Sequence, residues 1–296
     1  MTFEPSSTRS GLVTLFAAII FGSVTVWLIN LLAQQTDPLL IFRLAVSVLL
    51  ALLLTGLALY GTIVAIKLRY DLSRNGLAIQ WGLLQYRIPV DHIETIIPAQ
   101  TVAEPARFWG LNLAGLRFGW GRLAGFSPLK FYAAAPLPDS LLVVTLGRTY
   151  VISPRQPARF MQAWQSRQTL GPTQLWSART QRTWPLNTPL LIDPLAWRLL
   201  GLAGLVWLAL AGYLAFNFDL LPAALPVHFN AAGQTDRIAE KSALLVLPAA
   251  GLIALIVNAL LGELVYTREK LAAYFLWGST VVMQVCLWAA LLTITG

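Results

Sequence analysis

Residues 67–81 read KLRYDLSRNGLAIQW, and they decide the fold because the character of the chain changes there. Two long apolar runs come before Lys67. After it, short β-prone segments alternate with turn residues, and Asn75-Gly76 supplies the positive φ values of a tight hairpin turn between KLRYDLS and LAIQWG. The series continues through LQYRIPV, IETIIP, LRFGWGRL, PLKFYAAA and LLVVTL, and Gly147-Arg148 turns the last of these into TYVIS. Pro154 and Pro157 then lead into ARFMQAWQSRQ, where Phe160 and Trp164, four residues apart, share one helical face. The spacing predicts six or seven short strands closed by one helix.

Most of the remaining chain belongs in lipid. Of 296 residues, 57% are hydrophobic and 11% charged, against roughly 25% charged in ordinary soluble domains. Apolar windows at 11–33, 39–66, 195–216, 243–262 and 271–294 each come close to or exceed the about 20 residues that cross a ~30 Å hydrocarbon core. The first is longer than the roughly 7–15 residues of a signal-peptide apolar region, and Leu31-Leu32-Ala33 offers no small-residue cleavage pair, so it reads as a retained anchor. Cys286, the single cysteine, falls in the last window, which excludes a disulfide framework.

Charge then orients the spans. The formal net charge is +8, and residues 67–193 carry 14 Lys/Arg against 6 Asp/Glu, which accounts for all of it. Basic residues beside span ends favour the cytoplasm. Lys67, Arg69 and Arg74 after the second span, with Arg179 and Arg182 before the third, therefore place the insertion inside. Arg9 puts the N-terminus inside, Arg268 and Lys270 do the same for the fourth connection, and the C-terminus falls outside. Arg43 begins the second span from the outer side and can snorkel. The expected fold is a polytopic α-helical membrane protein of five spans, N-in and C-out, with a cytoplasmic β-rich domain over 67–170. A Pro- and Trp-rich interfacial linker over 171–194 and a three-span region over 195–296 follow, with an external loop at 217–241.

YDLSRNGLAIQWGLLQYRIPVDHIETI, GRLAGFSPLKFYAAA and VVTLGRTYVISPRQPARFMQAW together resemble bacterial pleckstrin-homology-like domains, over roughly 67–167. The resemblance implies a twisted β-sandwich or barrel plugged by its terminal helix and attached to membrane spans. Only Lys67, Arg69 and Arg74 lie near the first two strands, so the phosphoinositide site of eukaryotic relatives is not carried over. These three, with Arg179 and Arg182, are the candidate anionic-lipid contacts. A general attraction of about 1 kcal/mol per basic residue to acidic lipids explains the same charge without a specific site.

The segment LPVHFNAAGQTDR, 225–237, lies between the third and fourth windows. It resembles the mark of a family of bacterial membrane proteins of unknown function, a module also found in SdpI-type immunity proteins. Those proteins continue through further spans and lack the upstream β-domain, so immunity function is not implied. Pro226 starts an extended bit, Asn230 and Gly233 favour a turn, and Asp236 is placed to cap the next helix. In the alternative, Pro226, His228, Asn230, Gly233 and Asp236 form a small ligand cluster. His228 alone is short of the four N/S ligands of structural zinc.

No catalytic constellation, cofactor fingerprint or metal motif emerges. Gly119-Trp120-Gly121 with Gly125 has the wrong spacing for a dinucleotide loop, and these glycines are assigned to turns or a loop. Gln284 and Asn258, the main polar groups at depth, are expected to join helices, and Ala250 with Ala254 offers a small-residue packing face. The expected function is non-enzymatic: a multi-pass protein of the bacterial cell membrane, without cofactor, presenting its domain to membrane lipids and to membrane or cytoplasmic proteins rather than to nucleic acid. The alternatives are a signalling or immunity receptor sensing a ligand through 217–241 and, after it, a transporter or membrane enzyme.

Overall fold

The computed structural model describes residues 1–6, 9–102, 106–168, 171–229 and 235–295. The chain forms two compact units, Met1–Trp27 with Leu49–Trp184, and Leu28–Val48 with Pro185–Gly296. Elements follow in the order β1 (Thr2–Phe3), α1 (Arg9–Leu32), α2 (Pro38–Lys67), β2 (Arg69–Ser73), β3 (Gly76–Trp81), β4 (Leu84–Pro89) and β5 (Ile93–Pro98). Next come β6 (Arg107–Leu113), β7 (Leu116–Arg122), β8 (Leu129–Ala133), β9 (Leu141–Thr145), β10 (Thr149–Ile152), α3 (Pro157–Gln168) and β11 (Arg179–Arg182). The chain ends with α4 (Pro189–Ile192), α5 (Pro194–Asn217), β12 (Ala224–Phe229), β13 (Thr235–Glu240), α6 (Val246–Tyr266) and α7 (Lys270–Thr295). Five helices among the described residues, α1, α2, α5, α6 and α7, are long and apolar enough to cross a membrane.

In the first unit α1 and α2 meet through small residues, as helices in lipid do when backbones approach closely. A Cβ built on Gly11 would stand 3.3 Å from that of Ala65, and the Thr62 hydroxyl donates to Thr14 Oγ1 at 3.1 Å. Beyond them lie two sheets, ordered β1-β2-β3-β4-β11 and β5-β9-β10-β8-β7-β6. Alternation sets their faces. Tyr70, Leu72, Leu77, Ile79 and Ile88 of the first sheet meet Tyr132, Leu141, Val143 and Ile152 of the second, and Phe160 and Trp164 of α3 close the same core. The predicted helical pair thus does its expected packing. Leu129, Phe131, Leu142 and Val151 point to the other face of the second sheet, where Phe108 and Val102 cover them. Val64 and Leu68, at the end of α2, belong to the first core, with Tyr60 and Ala65 packed beside them. No flexible joint separates that helix from the domain.

Three details differ from the sequence reading. Arg74 and Asn75 make the first hairpin turn without positive φ; that conformation falls to Gly76 alone, at φ 139°. Asn75 instead accepts through Oδ1 from Thr173 N, Thr173 Oγ1 and Gln174 N, each at 2.9 Å, and so ties down the chain after α3. The strands outnumber six or seven, since RFWGLNL is β6 and the sheet edges are β1 and β11. Gly119 and Gly121 lie inside β7 rather than in a loop.

In the second unit polar side chains bind α5, α6 and α7 at carbonyls. Trp207 Nε1 donates to Pro248 O at 2.8 Å, Trp288 Nε1 to Val206 O at 3.1 Å and Gln284 Nε2 to Gly251 O at 2.8 Å. Asn258 Nδ2 donates to Thr280 Oγ1 at 3.2 Å. The tight approaches fall at Gly251 and Gly262, where any Cβ would strike Gln284 and Trp277, rather than at Ala250 and Ala254, which stay half-buried.

Candidate functional site

Directly opposed residues in a sheet share a face. Trp109 stands opposite Trp120, Trp120 opposite Lys130 and Lys130 opposite Tyr150. Four strands therefore set a row of two indoles, an ammonium and a phenol across the second sheet. Tyr86 reaches the same place from β4. Lys130 Nζ lies 4.8 Å from the Trp120 ring centre, 4.9 Å from that of Tyr86 and 5.3 Å from that of Tyr132. The Arg148 guanidinium stands 5.4 Å from the same Trp120 ring. Cation–π contacts of this kind contribute about 0.5–1 kcal/mol when exposed and ~2 kcal/mol when dry.

Burial, and then the nearby charge of Arg148, lower the Lys130 pKa below its ordinary 10.5. Burial raises those of Tyr132 and Tyr150, which keeps both phenols protonated. Among the described residues the ion pairs are Arg69–Asp71 at 3.4 Å and Arg155–Glu4 at 3.7 Å, and His228 contacts Asp236 at 2.6 Å. None includes Lys130 or Arg148. Two cations that repel each other beside an aromatic wall, with no carboxylate among the described residues in ion-pair contact with either, make a place where an anion would be held by charge and by hydrogen bonds. Sequence reasoning passed over this site because its members come from five separate segments between 86 and 150. The one local signal is that Lys130 interrupts an apolar strand, PLKFYAAA.

The five basic residues singled out from the sequence do not converge. Lys67 ends α2, Arg69 is engaged by Asp71, and Arg74 is exposed in the first hairpin turn. Arg179 and Arg182 lie on β11, at the far edge of the first sheet from Arg69, with β3 and β4 between. Arg179 stands opposite Arg87, whose guanidinium lies 5.5 Å from the Trp176 ring.

In the loop between α5 and α6, β12 and β13 pair as a hairpin with a bulge after Pro226. His228 Nδ1 and Asp236 Oδ1 share a hydrogen bond of 2.6 Å on its exposed surface. Asn230 and Gly233 lie outside the described residues. Asp236 sits within β13 and does not cap a helix; the turn of 3-10 helix over Lys241–Leu245 that leads into α6 follows Glu240, which makes no side-chain cap bond. Lys241 Nζ donates to Phe218 O at 3.1 Å, closing the base of the loop.

At the opposite end of these helices Asp193 caps α5, accepting through Oδ1 from Leu195 N at 2.8 Å and Ala196 N at 3.4 Å. Its Oδ2 accepts from the hydroxyls of Tyr266 at 2.6 Å and Tyr274 at 2.7 Å. These two bonds, Tyr266 first, hold the carboxyl down at about 2. One side chain thereby fastens the start of α5 to the end of α6 and the start of α7. The arrangement is a clamp with all its acceptor positions in use. Among the described residues no three His, Cys, Asp or Glu gather to hold a metal ion.

The architecture is that of a membrane protein with a β-sandwich domain capped by a C-terminal helix. Residues 68–168 match the family model described as a bacterial PH domain, and residues 205–252 match the one described as a domain of unknown function, DUF1648. The chain thus joins a PH-like segment to a DUF1648-like membrane module, the fusion that the sequence words pointed to. No curated protein and no solved structure matches the chain.

Proposed function

We propose that this chain is a non-enzymatic, multi-pass protein of the bacterial cell membrane that holds its PH-like domain on the cytoplasmic face as a platform for an anionic lipid headgroup. In this reading five spans run N-in and C-out, with the β12–β13 hairpin outside. The observation that carries it is the Lys130 and Arg148 pair, without an acidic partner among the described residues and walled by Tyr86, Trp120, Tyr132 and Tyr150. Sharing of the core with the end of α2 supports it, because a domain built onto a membrane helix meets headgroups at no further entropic cost of approach.

The full-length protein in detergent tests this. Trp120 touches both cations, so its fluorescence, isolated by comparison with Trp120→Phe, reports a titration with short-chain phosphatidylglycerol or phosphatidylcholine. The acidic lipid alone should perturb it, and Lys130→Gln with Arg148→Gln should remove the response. An equal response to both lipids, or none, would eliminate lipid recognition and leave an acidic protein partner. The receptor reading draws on the exposed His228–Asp236 bond in the external hairpin; replacing His228, Asn230 and Asp236 together by Ala would abolish a receptor's response and leave a platform's lipid binding intact.

A further inference from the structure

We infer that the β6–β7 hairpin is a wedge set into the lipid leaflet on the domain's side of the membrane, with its Leu111 face against acyl chains. A Cβ built on Gly61, inside α2, would stand 3.1 Å from Thr14 Cγ2 and 3.6 Å from Leu113 Cδ1, the last residue of β6. Gly61 is six residues before the end of α2 at Lys67, or about 9 Å along the helix axis. Thr14 is likewise inside α1. The tip therefore lies beside α2 below its end, where α1 also packs on α2, and in the proposed membrane setting that is the depth where headgroups give way to hydrocarbon.

The composition of one hairpin face follows that depth. Opposed pairs on it run Leu113 with Leu116 at the tip, Leu111 with Phe118, Trp109 with Trp120, and Arg107 with Arg122 at the far end. Apolar residues, then indoles, then guanidiniums is the order found where a segment leaves a bilayer, since Trp favours the interface and Arg favours phosphates and water. Leu111, Trp109 and Trp120 are each about half exposed, at 50%, 51% and 50%, a large apolar area for water to face. Strand rise of about 3.3 Å per residue puts Leu111 within roughly 7 Å of Leu113. Leu116 and Phe118, on this same face, pack into the core between the sheets, and Leu113 at its tip lies beside Gly61 of α2, so Leu111 is the part of the face left open next to that helix. The reverse face is different: Asn112 and Arg117 line a cleft with Ser6, Pro136 and Asp139. Phe108, also on the reverse face, packs on Phe131 of the domain, and Leu111 with the two indoles is what the hairpin leaves uncovered.

The inference rests on the proposed membrane setting of the domain, and it needs no specific headgroup. The test uses the whole chain with Cys286→Ser and Leu111→Cys, labelled with the environment-sensitive fluorophore NBD and reconstituted in vesicles with and without an acidic lipid. Lipids carrying a nitroxide near the top of the acyl chain should quench the label in both vesicle types, its emission should shift to the blue, and aqueous iodide should have little effect. Strong iodide quenching without nitroxide quenching would place Leu111 in water and overturn the wedge. Protection from both quenchers would mean that protein covers the hairpin, and overturns it equally. A signal that persists in neutral lipid while Trp120 ignores acidic headgroups would leave the wedge standing and remove the headgroup reading.

Discussion

Gly110 and Gly119 face each other across β6 and β7, at φ 156° and φ 158°, and a side chain on either would collide with the backbone of the opposite strand. Both positions combine a conformation that L residues avoid with a contact no rotamer can relieve. Gly119→Ala should cost about 2 kcal/mol or more, counting strain and displaced strand together. Gly115→Ala, in the hairpin turn at φ 96° but with open space around it, should cost only the ~1 kcal/mol of its conformation. Thermal unfolding of the purified full chain in detergent would rank the two, and the reverse ranking would contradict the tight pairing.

Lys130 predicts a pH dependence with a defined sign. Its folded-state pKa lies below the ordinary 10.5, so its contribution to stability is greatest above 10.5 and is lost as pH falls through the lowered value. Anion binding runs the other way, because it needs the charged form. Affinity for an acidic lipid should be greatest below the lowered value and decline as pH rises through it, and Lys130→Gln should abolish that decline. Lipid titrations at a series of alkaline pH values measure it.

Asp193 joins a helix cap to two phenols, and its two oxygens can be separated by mutation. Asp193→Ala should lose a cap worth about 1 kcal/mol and leave both hydroxyls unsatisfied. Asp193→Asn keeps the cap and weakens only the phenol bonds, so it should be milder. Since the folded-state value is depressed to about 2 from an ordinary 3.8, the carboxylate's contribution is present above 3.8 and lost as pH falls toward 2. Unfolding midpoints measured on an acid series should show this loss in the parent and not in Asp193→Asn.

Sidedness is open to chemical labelling. In a Cys286→Ser background, Leu220→Cys, 82% exposed beside the β12–β13 hairpin, should react with an impermeant maleimide on intact cells. Arg74→Cys, exposed in the first hairpin turn, should react only after permeabilisation. Gly76 is unsuited to such a probe, because a Cβ there would strike Ile88 O. The opposite labelling pattern would invert the proposed topology.

How far the sequence could be read depended on how local each signal was. Long apolar runs announce themselves by length alone, and β2 alternates, with Tyr70 and Leu72 buried and Arg69, Asp71 and Ser73 less so, just before the Asn75-Gly76 turn signal. RFWGLNL is harder to read: Trp109, Leu111 and Leu113 alternate, but Gly110 is a poor strand residue and Trp109 and Leu111 stay half exposed. β1 and β11 are set by pairing with β2 and β4, partners about 70 and 100 residues away, and their own two and four residues carry no pattern. The same distance hid the cation site, whereas His228 and Asp236, eight apart in one short segment, were read together, and only the helix cap assigned to Asp236 fails.

The seating of Val64 and Leu68 in the domain core has a mechanical corollary. With 30 residues α2 is about 45 Å long, more than a hydrocarbon slab of ~30 Å takes upright, so a span of this length tilts or stands clear of the slab at one end. Because its last turn is part of the domain core, any change in the tilt of α2 would be carried into the β-sandwich, and lipids of different chain length would then aim the same surface differently.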